Sequence, residues 1–128
     1  MPLSLAFCHN CSLVQIPETL PMQEMFRPDY PYFSSISKTL LDASKEFSVV
    51  AIERFNLTKD SIVIEIGSND GYLLRRCADR VIPVLGVDPA LEAARRAELV
   101  GVATTGEFFS KKTAETLLER GERANLII

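Results

Sequence analysis

The stretch SIVIEIGSNDG, residues 61–71, decides the fold of this 128-residue chain. It begins with a near-continuous apolar run from Ile62 to Ile66, which is typical of a strand covered on both faces. Gly67 and Gly71 then bracket a tight turn, where the missing side chains let a ligand approach the backbone closely. The stretch therefore predicts a buried strand that runs into a glycine turn and a helix, as in a doubly wound α/β fold.

An acidic residue ends the next predicted strand. Residues 82–88 form this strand, and Asp88 stands at its end, followed by Pro89. A carboxylate at that position can accept hydrogen bonds from the two hydroxyls of a ribose. Gly67 and Gly71 could otherwise simply form a tight strand–helix connection, but the acid on the neighbouring strand favours the front half of a nucleotide-cofactor site.

The spacing of the glycines indicates which cofactor the turn suits. A dinucleotide fingerprint has glycines at its first, third and sixth positions, whereas Asn69 and Tyr72 occupy the third and sixth positions here. Glu65, two residues before the first glycine, followed by G-x-x-x-G, resembles motif I of the class I S-adenosylmethionine-dependent methyltransferases. The sequence thus favours a methyltransferase, and a dinucleotide-dependent dehydrogenase is the alternative.

Composition and charge disfavour several other classes of protein. The net charge is −3 and the pI is about 5.2, so the chain lacks the basic footprint expected for binding nucleic acid or an anionic membrane. It has no apolar run near the roughly 20 residues that span a bilayer, and no secretory signal sequence. Three cysteines cannot form a closed set of disulfides, which favours a reducing compartment. A cytoplasmic protein is expected.

Three sections follow one another along the chain. Residues 1–16 predict a small hairpin around a CxxC motif, residues 17–33 an extended, proline-rich connection, and residues 34–128 the N-terminal part of a Rossmann-like methyltransferase domain. In the last section we expect helices over 34–55, 71–79, 90–100 and 110–120, and strands over 62–67, 82–88, 101–104 and 125–128. Apolar side chains on one face of the first helix are Ile36, Leu40, Phe47, Val50, Ala51 and Phe55. The strands should form a parallel half-sheet in the order third, second, first, fourth.

The chain ends at Ile128, within the fourth predicted strand. Only the cofactor-binding half of a doubly wound sheet is expected, so the sequence predicts a fragment of a longer enzyme. The free edge of an interrupted sheet presents unpaired backbone groups, which need water or another chain. We expect a homo-oligomer that forms through this edge, and no catalytic turnover by these residues alone.

Cys8-His9-Asn10-Cys11 is the second informative motif. Two cysteines at this spacing form half of a tetrahedral zinc site, because a knuckle turn directs both thiolates at one ion. The chain has no second cysteine pair, and Cys77 is expected to be a buried small hydrophobic residue. Zinc at Cys8 and Cys11 is therefore expected only in an incomplete site or one shared between two chains, with free thiols as the alternative.

Three motifs in the same order resemble the sugar C-methyltransferases of deoxysugar biosynthesis: FCxxCxLVQ at residues 7–15, YxYxSSxS at residues 30–37 and EIGSNDG at residues 65–71. In that family, a zinc-binding module with two cysteine pairs precedes a domain that binds adenosylmethionine. The enzymes transfer a methyl group to a carbon beside the keto group of a nucleotide-linked sugar. This chain carries only the second cysteine pair and lacks the family's substrate domain.

The resemblance implies a role for each motif. The cofactor would contact the glycine turn and the end of the second strand, at Glu65, Gly67, Ser68, Asn69, Asp70, Gly71, Asp88 and Pro89. Glu65 and Asp70 would bind the methionine ammonium group, and Asp88 the ribose. Tyr30 and Tyr32 would close over the active site in a catalytic role, with plain packing against the following helix as the alternative. A non-catalytic cofactor-binding module and an interaction fragment are the alternatives to an enzyme.

Overall fold

A computed structural model describes residues 4–17, 20–27 and 30–128 of the chain. The strands are β1 (Ala6–Phe7), β2 (Val14–Gln15), β3 (Val63–Ile66), β4 (Val84–Val87), β5 (Thr104–Thr105) and β6 (Leu126–Ile127). The helices are α1 (Met22–Met25), α2 (Lys38–Arg54), α3 (Arg75–Ala78), α4 (Leu91–Leu99) and α5 (Lys111–Glu119), and a 3₁₀ turn spans Ser34–Ile36. A bilayer-spanning helix is absent from the described ranges, because each helix there is either too short or too polar.

β3 lies inside a four-stranded parallel sheet. β4 lies on one side of it with β5 beyond, and β6 lies on the other side, so the order is β5-β4-β3-β6. This is the predicted order of third, second, first and fourth strand, and it makes the sheet a Rossmann-like half-sheet. Ile66 stands opposite Val87 in the register, and Gly67 N–H donates to Val87 O at 2.8 Å. The glycine turn and Asp88 therefore emerge side by side at the carboxyl edge of the sheet.

Alternate side chains of β3 enter two apolar clusters, one on each face of the sheet. Val63 is fully buried in the larger cluster, and Ile64 belongs to the smaller one. The larger cluster consists of Leu57, Val63, Leu74, Cys77, Ile82, Ala97 and Val102. Cys77 is thus a buried apolar residue, as its sequence position predicts. Burial on both faces holds β3, and the turn that follows it, in a fixed position.

The connection after the glycine turn differs from the predicted helix over 71–79. The residues before Arg75 are turns, and α3 comprises only four residues. Arg76 N–H donates to Leu73 O, a bond to the third preceding residue that tightens the chain relative to an α-helix. This tighter path buries Leu73 and Leu74 beside the sheet, a tertiary constraint that helical periodicity does not reveal.

The third parallel strand also lies further along the chain than the predicted 101–104, because β5 is Thr104–Thr105. Gly101, with a φ of 81°, follows α4, and Val102 N–H then donates to Ala97 O at 3.0 Å. Val102 is fully buried. The chain therefore turns into the core before it pairs with β4.

The proline-rich connection predicted over 17–33 contains one short helix. α1 starts directly after Pro21, because the fixed φ and missing N–H of proline are tolerated at the start of a helix. The prediction of an extended connection is therefore wrong at α1. Residues 18–19 and 28–29 of this connection, and residues 1–3 of the predicted hairpin, lie outside the described part of the chain.

α2 confirms the predicted helix but buries two serines that the apolar pattern did not mark. The residues that α2 buries are Ser44, Ser48 and Ala51. Each of the two serine hydroxyls donates to a carbonyl of the preceding turn, which satisfies it inside the protein. Phe47 and Val50, on the predicted apolar face, remain 46% and 59% exposed. Ala51 of the predicted apolar face is buried, so that face covers the domain only in part.

Candidate cofactor-binding site

The glycine turn follows β3 and contains three residues with positive φ: Gly67 at 74°, Asn69 at 50° and Gly71 at 73°. A Cβ at Gly71 would lie 3.1 Å from the Cβ of Val102 and 3.2 Å from that of Ala97, so this glycine lets the turn pack closely against the core. A Cβ at Gly67 would meet no atom of the described residues within 4 Å. The two glycines therefore serve different purposes, core packing at Gly71 and open space at Gly67.

A pocket of about 240 Å³ lies beside Gly67. The glycine turn and Asp88 form its polar end, and apolar side chains enclose the rest. The lining residues are Met22, Phe26, Ile66, Gly67, Val87, Asp88, Pro89, Phe108 and Phe109. The rings of Phe26 and Phe108 lie 6.4 Å apart in an edge-to-face arrangement. A flat aromatic base linked to a ribose matches this combination of apolar walls and one carboxylate.

Asp88 links the end of β4 to both neighbouring segments. Its Oδ2 accepts from Asn69 N–H in the glycine turn, and its Oδ1 accepts from Ala90 N–H before α4, each at 2.8 Å. These bonds fix the carboxylate in the buried wall of the pocket. Each carboxylate oxygen can accept more than one hydrogen bond, so Asp88 retains capacity for the hydroxyls of a ligand.

Glu65, Asp70 and Asp88 bring three buried carboxyl groups together. Burial raises the pKa of Glu65 to about 8, and the negative charges of Asp88 and Asp70 add to this effect. Within the described ranges, Glu65 Oε2, Asp70 Oδ1 and Ser68 Oγ are buried without a hydrogen-bond partner. Buried polar atoms are normally paired, so three unpaired atoms around one turn indicate a ligand that supplies the missing partners. A ligand with a positive charge suits them best.

Glu65 gives the protein a predictable pH dependence of stability. Its folded-state pKa of about 8 lies above the ordinary 4.5, so the native protein retains a proton that the unfolded chain loses between these values. The stabilisation from this proton is complete below pH 4.5 and is lost as the pH rises to about 8. We expect the free energy of unfolding to fall over this range, and to fall less in Glu65→Gln, whose side chain stays neutral. Denaturant titrations of both proteins at about pH 5 and about pH 9 measure the difference, and an equal fall in the two would contradict it.

The two predicted catalytic tyrosines lie near this turn in different surroundings. Tyr30 is half-buried, and its ring centroid lies 5.6 Å from that of Phe26, a residue of the pocket. Tyr32 is 52% exposed, and its carbonyl oxygen accepts from Asn69 Nδ2 at 3.1 Å. The structure thus brings the segment that carries both tyrosines to the glycine turn, and a catalytic role for either ring remains a prediction.

Tyr72 is a third tyrosine at the site and was not expected from the sequence. Burial raises its pKa, and the charges of Glu65, Tyr32 and Asp70 raise it further. The sequence indicated this residue only by its position directly after Gly71. In a dinucleotide fingerprint that position belongs to a glycine, so a large side chain there departs from the fingerprint.

Met22 and Phe26 were likewise not expected in the pocket. They belong to α1 and the residue after it, within the segment predicted to be an extended connection. They line the same pocket as Gly67 and Asp88 across a long sequence separation, which no local pattern reveals. The weak signal in the sequence was an apolar pair four residues apart directly after a proline.

The CxxC motif lies at the turn of a small antiparallel hairpin formed by β1 and β2. Cys8 N–H donates to Leu13 O at 2.9 Å, and Ser12 N–H donates to Cys8 O at 2.8 Å. Backbone hydrogen bonds from Cys11 and Asn10, and then the Cys11 side chain, lower the pKa of the Cys8 thiol. In the described part of the chain, no three His, Cys, Asp or Glu side chains are grouped as metal ligands. Zinc held by Cys8 and Cys11 remains a prediction.

The fold and the turn together define an α/β protein that carries the cofactor-side half-sheet of a Rossmann-like domain. The chain is similar to the C-methyltransferase NovU of Streptomyces niveus, with 30% identity over 129 aligned residues. The alignment covers 98% of this chain and 30% of NovU, so the chain spans less than a third of the length of that relative. No protein-family model matches the chain. The similarity to NovU supports a relationship to methyltransferases.

Proposed function

We propose that this chain is the S-adenosylmethionine-binding part of a methyltransferase that acts on nucleotide-linked keto-deoxysugars. One observation carries the proposal: the buried carboxyl groups of Glu65, Asp70 and Asp88 surround a glycine turn at the carboxyl edge of the sheet. Adenosylmethionine is cationic at its sulfonium and ammonium groups, whereas a dinucleotide brings an anionic pyrophosphate. The same cluster of carboxyl groups therefore favours the first ligand and repels the second.

The adenosine part of the cofactor suits the pocket beside Gly67. Asp88 would accept hydrogen bonds from the ribose hydroxyls, since its carboxylate is already held in place by Asn69 N–H and Ala90 N–H. The adenine ring would pack between the apolar walls, where Phe26 and Phe108 offer aromatic surfaces. Gly67 lets the ligand lie against the backbone.

The methionine part suits the carboxyl cluster. Its ammonium group would supply donors to Glu65 Oε2 and Asp70 Oδ1, which have no partner among the described residues. A cation bound there lowers the pKa of Glu65, because an adjacent positive charge favours the ionised carboxylate. Binding near neutral pH would then release a proton from Glu65.

The chemistry of such an enzyme needs a base near the sulfonium. A hydrogen on the carbon beside a keto group is acidic enough for a side-chain base to remove, which leaves a nucleophilic carbon. Adenosylmethionine, when bound, would supply the methyl group to that carbon and be released as adenosylhomocysteine. Tyr30 and Tyr32 belong to the segment held at the turn and are our candidates for substrate contact or proton transfer.

We also infer the oligomeric state, the metal binding and the location of the protein. The outer edge of β6 carries Ile127, whose side chain is 58% exposed, and an unpaired edge of this kind favours self-association. Zinc would bind at Cys8 and Cys11 only with ligands from elsewhere, such as the same pair in a second chain. We propose the nucleotide-sugar substrate from the sequence resemblance, and a cytoplasmic location from the cysteine content.

A pair of alanine variants tests the proposed cofactor site. Gly67→Ala places a methyl group in the open space beside the pocket, so we expect adenosylhomocysteine to bind about tenfold more weakly. Gly121→Ala is the control, since Gly121 has a φ of 80° and equally open surroundings but lies after α5. Isothermal titration calorimetry measures both affinities. Equal affinities in the two variants would show that the ligand does not bind beside Gly67.

A further inference from the structure

The segment that carries the tyrosines is attached to the glycine turn mainly by the side chain of Asn69. We call residues 30–37 the strap. Asn69 Oδ1 accepts from Ser34 N–H at 2.9 Å, and Asn69 Nδ2 donates to Tyr32 O at 3.1 Å. Asp70 Oδ2 adds a bond from Ser35 N–H at 3.2 Å. Both polar atoms of the Asn69 side chain are therefore engaged with the strap.

Asn69 also contacts the other side of the site. Its backbone N–H donates to Asp88 Oδ2, the carboxylate proposed to bind the ribose. The backbone at Asn69 has a φ of 50°, a conformation that asparagine adopts more readily than most residues. The residue is only 8% exposed, so these bonds form where water does not compete for them.

We propose that Asn69 is a positioning residue that locks the strap to the cofactor turn and makes the order of the strap depend on cofactor occupancy. A ligand that binds Asp88 fixes the group to which Asn69 N–H is bonded, and the same residue holds Ser34 and Tyr32. Binding at the ribose end thereby restricts the segment that carries Tyr32. The dependence on cofactor rests on the proposed function, whereas the attachment of the strap does not.

Amide hydrogen exchange at Ser34 tests the attachment without any ligand. Asn69→Gly keeps the backbone conformation and the N–H to Asp88 but removes the side chain, so we expect Ser34 to exchange about tenfold faster. Asn56→Gly is the matched control, because Asn56 has the same φ of 50° and is exposed after α2. Ser34 should exchange at the original rate in that variant. Equal rates in Asn69→Gly and the unaltered chain would overturn the proposal.

Saturating adenosylhomocysteine then tests the dependence on occupancy. We expect the ligand to slow Ser34 exchange about tenfold in the unaltered chain and in Asn56→Gly, and to have little effect in Asn69→Gly. A purely structural bond would protect Ser34 equally with and without ligand, and that result would overturn the dependence. If the unaltered chain binds no adenosylhomocysteine, the proposed function and the dependence both fail, while the ligand-free rates still decide whether Asn69 holds the strap.

Discussion

Replacing Asp88 with alanine should weaken binding of S-adenosylmethionine by about 1.5–3 kcal/mol, the range for hydrogen bonds to a charged group. The carboxylate is buried in the pocket wall, so water cannot replace the lost acceptors. The loss corresponds to roughly a 10- to 150-fold increase in Kd. Titration calorimetry of the altered and unaltered chains measures it.

Asp88 also bonds to Asn69 N–H and Ala90 N–H, so its replacement affects the turn itself. Thermal denaturation therefore accompanies the titration, and binding is compared below the melting temperature of the variant. Asp42→Ala is the control for the lost charge, since Asp42 is an exposed residue paired with Lys38 on α2. An unchanged Kd in a folded Asp88→Ala variant would show that this carboxylate does not bind the ligand.

Replacing Gly86 with alanine should destabilise the fold by about 3 kcal/mol, near the upper end of the cost of overpacking a core. Gly86 lies in β4, and its Cβ would overlap Ser68 Oγ and lie 2.7 Å from Thr104 Oγ1. Ser68 is fully buried in the glycine turn and cannot move aside without displacing it. The variant should therefore lose both stability and affinity for adenosylhomocysteine.

Gly106→Ala is the matched control for this effect. Among the described residues, a Cβ at Gly106 would meet only Leu91 Cδ2, the end of a flexible side chain. Denaturant titration should give Gly106→Ala a free energy of unfolding within about 1 kcal/mol of the original. An equally small loss of unfolding free energy in Gly86→Ala would contradict the close packing of β4 against the glycine turn.

The sheet and its order could be predicted from local sequence. The apolar runs before Gly67 and Asp88 are short and separated by a helical segment, a combination that favours parallel strands. Once β3 and β4 pair in parallel, their carboxyl ends must meet, so the proximity of Gly67 and Asp88 follows from topology. The position of the candidate site was predictable for that reason.

The contacts around the site could not be predicted in the same way. The attachment of the strap through Asn69, and the packing of Phe26 beside Phe108, join residues far apart in sequence. Ser44 and Ser48 of α2 are another example, because they are buried with their hydroxyls bonded to carbonyl groups of their own helix. Hydrophobic periodicity does not assign serines to a core, and their burial follows from tertiary packing.

Titration of the unaltered chain with S-adenosylmethionine and, separately, with NAD tests the central claim most directly. Asp70 and Asp88 place negative charge around the turn, Glu65 gains one when a cation binds, and glycine is absent from the third and sixth positions that a pyrophosphate needs. We therefore expect adenosylmethionine to bind at one site per chain, and NAD to bind far more weakly or not at all. Tighter binding of NAD than of adenosylmethionine and adenosylhomocysteine would contradict the assignment of this turn to a methyltransferase.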